Sequence, residues 1–191
     1  GFSDGEQSKI FRNEDFLYRT ITVERPLRLR WQAAPDAIEA VFGAKPVQKL
    51  TDDDAASLRA ALEALGSDAA WTNRDQFHKA LKTATAAHGL KLPAPLLKAV
   101  TAALGVQDDA ADVCTDASGN PEPDTSLRDT ENVPWDQDVD DYLEREVRPY
   151  AADAWIDHAK TKEGAEIPFT RYFYKYVPPR PQEEIDRDLE A

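Results

Sequence analysis

One stretch of this chain is too acidic and too poor in apolar residues to be expected to fold around its own side chains. Residues 106–141 contain twelve Asp and Glu side chains and a single basic one, Arg128. Little apolar burial is then available to offset the entropy lost when the backbone is ordered. We therefore expect residues 106–134 to form a long acidic loop, which is either weakly ordered or held by arginines. The candidate arginines are Arg25, Arg28 and Arg30.

The acidity also limits what the protein can bind. The chain carries 23 Lys and Arg against 36 Asp and Glu, which gives a formal net charge of −13. Affinity for DNA comes largely from basic side chains that neutralise phosphates, so this charge excludes a stand-alone binder of polyanions. A solvated surface is the simplest interpretation of the acidic stretch. A regulatory or partner-facing surface is the alternative, and a metal site is the least favoured.

Length and composition are those of a globular protein. With 191 residues, of which 41% are hydrophobic, the chain can form one domain of ordinary size or two small ones. It has no apolar run near the roughly 20 residues of a membrane helix, and it shows no apolar stretch of the kind found in signal peptides. Its single cysteine, Cys114, excludes an internal disulfide. These features predict a cytoplasmic protein that does not associate with membranes.

Residues 1–50 are predicted to be a connecting segment that contains short β elements. Residues 16–23 are rich in β-branched and aromatic side chains, which favours a strand. The apolar residues that follow, up to Trp31, alternate with arginines, and this period predicts a second strand with one apolar face. A short helix is expected over Pro35–Phe42, ending at Gly43.

Residues 51–105 predict a small helical bundle. Three apolar stripes at helical spacing each end at a glycine, as amphipathic helices commonly do. Thr51 and Asn73 are expected to cap the first two helices, and the third is expected to begin near Pro93. Nothing in this bundle suggests catalytic chemistry.

Residues 135–191 predict a helix, a strand and the start of a further helix. Apolar residues at helical spacing between Val139 and Val147 indicate the first helix. Asp153 is expected to cap a short turn that follows it. Side chains alternate over residues 167–177 in a two-residue period, with aromatic residues on both faces, which predicts the strand.

The last ten residues predict the first turns of an amphipathic helix. Ile185 and Leu189 lie four residues apart on one face and are its only apolar pair. A helix this short is marginal in isolation, so we expect these two side chains to bind a partner. Together the elements predict an α+β fold that is mainly helical, with a small helical bundle, a few short β-strands and a long acidic loop.

The sequence contains no catalytic, cofactor-binding or metal-binding motif. Its histidines lack the His-Glu-x-x-His spacing of zinc proteases, and neither a P-loop nor a glycine-rich dinucleotide turn occurs. Asp136, Asp138 and Asp140 resemble the start of a calcium-binding loop. However, Asp141 replaces the glycine of that loop, and Val147 replaces its final acid.

One segment, residues 169–177, has the side chains of a nucleic-acid contact. Aromatic rings can stack on bases while Lys and Arg hold phosphates. The candidate contact residues are Arg171, Tyr172, Tyr174 and Lys175. The alternative is that the aromatic residues of this strand only pack within the protein, and the acidity of the surrounding chain favours that alternative.

Five segments of the chain resemble the modification subunits of type I restriction–modification systems, in the same order as in that family. The segments are 13–27 (NEDFLYRTITVERPL), 119–124 (GNPEPD), 127–134 (LRDTENVP), 153–158 (DAWIDH) and 166–174 (EIPFTRYFY). Residues 178–186 also match, whereas residues 36–105 match only loosely. In that family these segments lie downstream of the catalytic domain. The resemblance therefore implies the C-terminal, non-catalytic portion of such a subunit.

The same resemblance implies a larger protein and its partners. The four predicted zones would form one C-terminal domain; they are the connecting segment 1–50, the bundle 51–105, the loop 106–134 and the terminal region 135–191. The family methylates N6 of adenine with S-adenosylmethionine, through upstream motifs that this chain lacks. We therefore expect the parent subunit to be a DNA methyltransferase and this fragment alone to bind no cofactor. The implied partners are the specificity subunit, a second modification subunit, the restriction subunit and, through the holoenzyme, DNA.

Overall fold

The structure is a computed structural model that describes residues 3–5, 8–167 and 172–176. Within them the fold is α+β with short strands in small sheets, as predicted. The described helices are α1 (Pro35–Phe42), α2 (Asp52–Ala64), α3 (Arg74–Ala87), α4 (Ala94–Leu104) and α5 (Val139–Tyr142), which continues into a π-helical turn at Leu143–Val147. The strands are β1 (Leu17–Glu24), β2 (Leu29–Gln32), β3 (Ala70–Trp71), β4 (Gly105–Gln107), β5 (Asp129–Pro134), β6 (Trp155–Ile156) and β7 (Lys162–Ala165).

The chain divides into two compact units. Of the described residues, unit 1 takes those within Gly1–Thr22, Thr130–Pro149 and Ile156–Ala191. Unit 2 takes Val23–Asp129 and Tyr150–Trp155. Unit 2 thus draws on all four of the zones proposed from the sequence.

The core of unit 2 lies among helices α1 to α4 and a three-stranded antiparallel sheet. The strand order is β3-β2-β4, with Trp31 of β2 opposite Trp71 on one side and Gly105 on the other. The rings of Trp31 and Phe77 are both fully buried and stack 5.4 Å apart, within 7° of parallel. Because Ile38 of α1 belongs to the same core, the predicted helices of 51–105 pack together with the segment before them.

The ends of the helices follow the local signals in the sequence. The Thr51 hydroxyl accepts a hydrogen bond from the Asp54 N–H at the start of α2. The Asn73 side chain accepts from the N–H groups of Asp75 and Gln76 at the start of α3. Both predicted caps are confirmed, and each satisfies backbone donors that have no partner within the helix.

A buried carboxylate at the end of β1 is paired with an arginine. Glu24 is only 1% exposed, and its Oε1 accepts a hydrogen bond of 2.8 Å from Nε of Arg128. A charge removed from water is tolerated when an opposite charge and hydrogen bonds compensate it. Arg128, the single base of the acidic stretch, therefore holds that stretch to β1 within unit 2.

The acidic stretch has more regular structure than predicted. The predicted loop, residues 106–134, begins in β4 and ends in β5, so the observed loop between these strands covers residues 108–128. Arg30 Nε lies 3.4 Å from a carboxylate oxygen of Asp108, and Arg28 donates to the carbonyl of Ala111 at 2.8 Å. Two of the three proposed arginines thus hold the stretch, whereas the Arg25 side chain pairs with Asp153 outside it.

The sheet of unit 1 is organised around β1. The strand order is β5-β1-β6, and β7 pairs antiparallel with the start of β1, from Leu17 opposite Ala165 to Thr20 opposite Lys162. Two of these strands differ from prediction. Residues 155–156 form β6 rather than a capped turn, and β7 was not predicted, because its sequence, KEGA, has little intrinsic strand preference.

Gly164 explains how such a weak sequence forms a strand. Gly164 lies opposite Tyr18, and the Tyr18 ring lies over it, so that a Cβ on Gly164 would be 2.5 Å from Cζ of the ring. An aromatic ring that covers a cross-strand glycine shields its backbone and recovers packing that the glycine lacks. The strand is therefore stabilised by its partner and not by its own propensity.

Candidate functional site

The structure describes three of the six residues proposed as contact sites. Tyr172, Tyr174 and Lys175 are among the described residues, whereas Arg171, Ile185 and Leu189 lie outside them. The proposals for those three remain predictions.

The strand predicted over 167–177 is wrong for the described residues of that range, 167 and 172–176. Tyr172 and Phe173 are helical, and residues 174–176 have no regular structure. The physical reason lies in β1, because the start of that strand, Leu17–Thr20, is already paired with β7. Aromatic residues favour strands only where a neighbouring strand is available to pair with them.

Tyr172 instead lines a pocket in unit 1, which we call the aromatic–acidic pocket. The cavity is about 390 Å³ in volume and opens to solvent. Its aromatic residues are Phe11, Phe16, Tyr18, Trp135 and Tyr172, and its acidic residues are Glu14, Asp15, Asp136 and Glu166. Segments distant in sequence thus converge on one site.

The aromatic walls are arranged by a short 3-10 turn. The centroid of the Phe11 ring lies 5.3 Å from that of Phe16 and 4.7 Å from that of Tyr172, with the planes tilted by 58° and 59°. The turn, Asn13–Phe16, is closed by the Asp15 carboxylate, which accepts a 2.8 Å hydrogen bond from the Arg12 N–H. That closure brings Phe11 and Phe16 to the same side of the chain.

The electrostatics of the pocket are strongly negative. Of its side chains, four are carboxylates and only Arg12 is basic, and Arg12 is already paired with Asp15 at 3.0 Å. The hydrogen bonds from the Arg12 backbone and guanidinium hold the pKa of Asp15 below its ordinary value, so this carboxylate stays ionised. A concave site lined by one sign of charge concentrates the field and attracts ions of the opposite sign.

The Trp135 ring, which lines the pocket, is already in contact with a cation. The guanidinium carbon of Arg19 lies 4.3 Å from the centroid of the Trp135 ring. Its Nη1 also donates to the carbonyl of Gln137 at 3.2 Å. A guanidinium over an indole face is attracted by the quadrupole of the ring.

A second concave surface, the apolar groove of unit 2, lies beside the Trp31 ring. It is about 460 Å³ in volume, and Leu27, Leu29 and Leu97 contribute much of its apolar surface. The Arg74 guanidinium lines it and donates to both carboxylate oxygens of Glu122, at 2.7 and 2.8 Å.

The one histidine of the groove is held in its neutral form. His78 Nε2 lies 3.0 Å from the Thr101 hydroxyl. Burial lowers the pKa of His78, and the positive charge of Arg74 lowers it further. At neutral pH this arrangement suits the burial of an apolar group.

We expect the Glu122–Arg74 pair to make stability depend on pH in a defined direction. The hydrogen bond from Arg74 lowers the pKa of Glu122 below its ordinary value. The pair should therefore stabilise the fold above about pH 4.3, the unfolded value, and lose this effect as pH falls through the lower folded value. Glu122→Gln should lower the free energy of unfolding by about 1 kcal/mol at pH 7, because a third of this side chain stays in water.

Urea unfolding at pH 7 and pH 3 measures this difference. The difference in the free energy of unfolding between the native chain and Glu122→Gln should narrow toward zero at the lower pH. Glu39→Gln is the control, because Glu39 pairs with Arg59 at the surface and should show a smaller gap. A gap that stays constant between the two pH values would contradict the assignment.

The described residues include no group of three or more His, Cys, Asp or Glu side chains placed to hold a metal ion. The run at 136–140 has a structural role in helix α5, since the Asp138 carboxylate accepts hydrogen bonds from the N–H groups of Asp140 and Asp141. Among the described helices, none has the length and apolar character needed to cross a membrane.

Comparison with protein-family models, curated proteins and solved structures finds no significant match.

Sequence reasoning missed both concave surfaces. A local signal existed for one part of the aromatic–acidic pocket, because Arg12 and Asp15 have the spacing of a closed turn between two phenylalanines. The approach of Trp135 and Tyr172 to that turn depends on tertiary structure. The Arg74–Glu122 pair joins residues 48 apart, and no sequence pattern connects them.

Proposed function

We propose that this chain is the C-terminal, non-catalytic part of the modification subunit of a type I restriction–modification system and that it serves assembly with the specificity subunit. The observation that carries the proposal is that three of the segments resembling this family form neighbouring strands. Segment 13–27 contains β1, segment 127–134 contains β5, and segment 153–158 contains β6. These three strands are neighbours in one sheet.

Specific contacts join these segments. Thr20 donates through its hydroxyl to the side-chain oxygen of Asn132 at 2.7 Å, and the N–H of Asp157 donates to the carbonyl of Thr22 at 2.9 Å. The resembling segments thus form one connected part of the fold, which is what a shared structural module requires. The loosely matching residues 36–105 contain most of α1 and all of α2 to α4, and they contribute no strand to this sheet.

In this proposal the fragment contributes binding surfaces and no chemistry of its own. The parent subunit binds S-adenosylmethionine in its upstream domain and methylates adenine there. The protein acts in the cytoplasm with a second modification subunit, the restriction subunit and DNA in one holoenzyme. The apolar pair Ile185 and Leu189 would bind the specificity subunit.

A second candidate function is direct contact with DNA inside the holoenzyme, through Arg171, Tyr172, Tyr174 and Lys175. The exposure of Tyr174, at 66%, favours it, because an exposed ring is accessible for stacking on bases. The carboxylates around Tyr172 disfavour it. Binding of the fragment to duplex DNA at low salt would support this candidate, and absence of binding there would remove it.

The assembly proposal is tested by a pull-down with the specificity subunit, using the full modification subunit that contains this sequence. Ile185→Asp with Leu189→Asp should abolish the complex, because burying either carboxylate unpaired costs several kcal/mol. The matched control is Asp186→Asn with Asp188→Asn, which changes polar positions of the same segment and should leave assembly intact. Undiminished assembly of the folded Ile185→Asp, Leu189→Asp variant would show that the specificity subunit binds elsewhere.

A further inference from the structure

We propose that the aromatic–acidic pocket of unit 1 binds the guanidinium group of an arginine from a partner protein. This inference goes beyond the proposed function, since it concerns the chemistry of the pocket and holds whichever protein supplies the arginine. It rests on three properties of the described residues: the ring geometry, the charge of the walls, and a guanidinium already bound to one of the rings.

The ring geometry suits a flat cation. Phe11 forms tilted pairs with Phe16 and Tyr172, at 58° and 59°, so the three rings are not stacked face to face. All three residues line the cavity. Cations bind over the faces of aromatic rings, and arginine does so more often than lysine.

The charge of the walls selects a cation. Asp15 is paired with Arg12, whereas Glu14, Asp136 and Glu166 add three more carboxylates to the same cavity. Planar carboxylates accept guanidinium N–H groups in pairs, which gives arginine a geometric advantage over lysine. The same walls repel phosphate, so a nucleic acid is the wrong occupant for this pocket.

One ring of the pocket, that of Trp135, already makes a contact of the proposed kind. The Arg19 guanidinium lies 4.3 Å above the Trp135 ring and donates to a backbone carbonyl beside it. A second guanidinium, supplied by a partner, would find aromatic rings together with carboxylates among the residues that line the cavity. The volume of about 390 Å³ is ample for one arginine side chain.

The test is a titration of the whole 191-residue chain with the tripeptide acetyl-Gly-Arg-Gly-amide at 150 mM salt. The indole N–H signal of Trp135 in the NMR spectrum is the readout, and Trp135→Phe assigns it. We expect this signal to shift in a saturable way. Acetyl-Gly-citrulline-Gly-amide has nearly the same shape without the charge and should give at least about ten-fold weaker binding. Equal binding of the two peptides would overturn the proposal.

Two pairs of variants separate the pocket from the general acidity of the chain. Asp136→Asn with Glu166→Gln should weaken binding about ten-fold. Glu63→Gln with Asp68→Asn makes the same charge change on exposed residues of unit 2 and should leave binding unchanged.

Tyr172→Ala should weaken binding about three-fold. Tyr174→Ala, which removes a ring outside the pocket, should leave binding unchanged. Far-ultraviolet circular dichroism checks that each variant is folded. Equal losses in a variant and its control would overturn the proposal.

Discussion

Trp31→Ala should be the most destabilising single substitution in unit 2, lowering the free energy of unfolding by about 3–5 kcal/mol. The Trp31 side chain is 0% exposed and stacks on Phe77. Its Nε1–H also donates to the carbonyl of Thr101 at 3.0 Å, so the substitution removes a buried hydrogen bond together with the ring. Urea unfolding followed by far-ultraviolet circular dichroism measures the loss.

A graded variant keeps this prediction testable if the alanine variant does not fold. Trp31→Phe retains an aromatic ring beside Phe77 but leaves the Thr101 carbonyl without that donor, and it should cost less than the alanine variant. The control is Tyr150→Ala, because Tyr150 is 90% exposed and its loss should change stability by no more than about 0.5 kcal/mol. A Trp31→Ala variant as stable as that control would contradict the assigned core.

Arg128→Met should have the second-largest effect, lowering the free energy of unfolding by about 3 kcal/mol. The substitution keeps an unbranched side chain of similar length but removes the charge that compensates the buried Glu24 carboxylate. Removal of one partner from a buried ion pair is costly because the remaining charge is still held away from water. Equilibrium unfolding at pH 7 tests this value.

The matched control is Arg59→Met in the same unit. Arg59 pairs with Glu39, whose side chain is 66% exposed, so the substitution leaves no buried charge and the loss should be much smaller. The double variant Arg128→Met with Glu24→Met should recover part of the stability lost by Arg128→Met alone, since it also removes the buried charge. Failure of the double variant to recover any stability would show that Glu24 is not the reason for the effect.

The elements that could be predicted from the sequence are those whose signals are local. Helix α1 spans the predicted residues Pro35–Phe42, and α4 begins at Ala94, next to the predicted start at Pro93. The predicted caps Thr51 and Asn73 accept hydrogen bonds from backbone N–H groups within three residues. Such signals act within one or two turns of the chain, so they do not depend on the rest of the fold.

The features that escaped prediction depend on distant residues. Strand β7 has a weak sequence and forms against Tyr18, and the aromatic segment at 172–176 does not extend because β1 is already occupied there. The aromatic–acidic pocket likewise combines residues near position 11 with Trp135 and Tyr172. Composition and periodicity contain no information on which distant segments meet.

The placement of β1 has a consequence for how the protein is made. Synthesis runs from the N-terminus, so β1 leaves the ribosome before its partner strands. Thr20 must wait for Asn132, which lies 112 residues later, and Leu17 must wait for Ala165. At about 5–20 residues per second, this delay lasts several seconds or more. During that time β1 has unpaired edges and an apolar residue, Ile21, that is buried only in the finished fold. Newly made chains that stop before β5 should therefore depend on chaperones far more than the completed protein does.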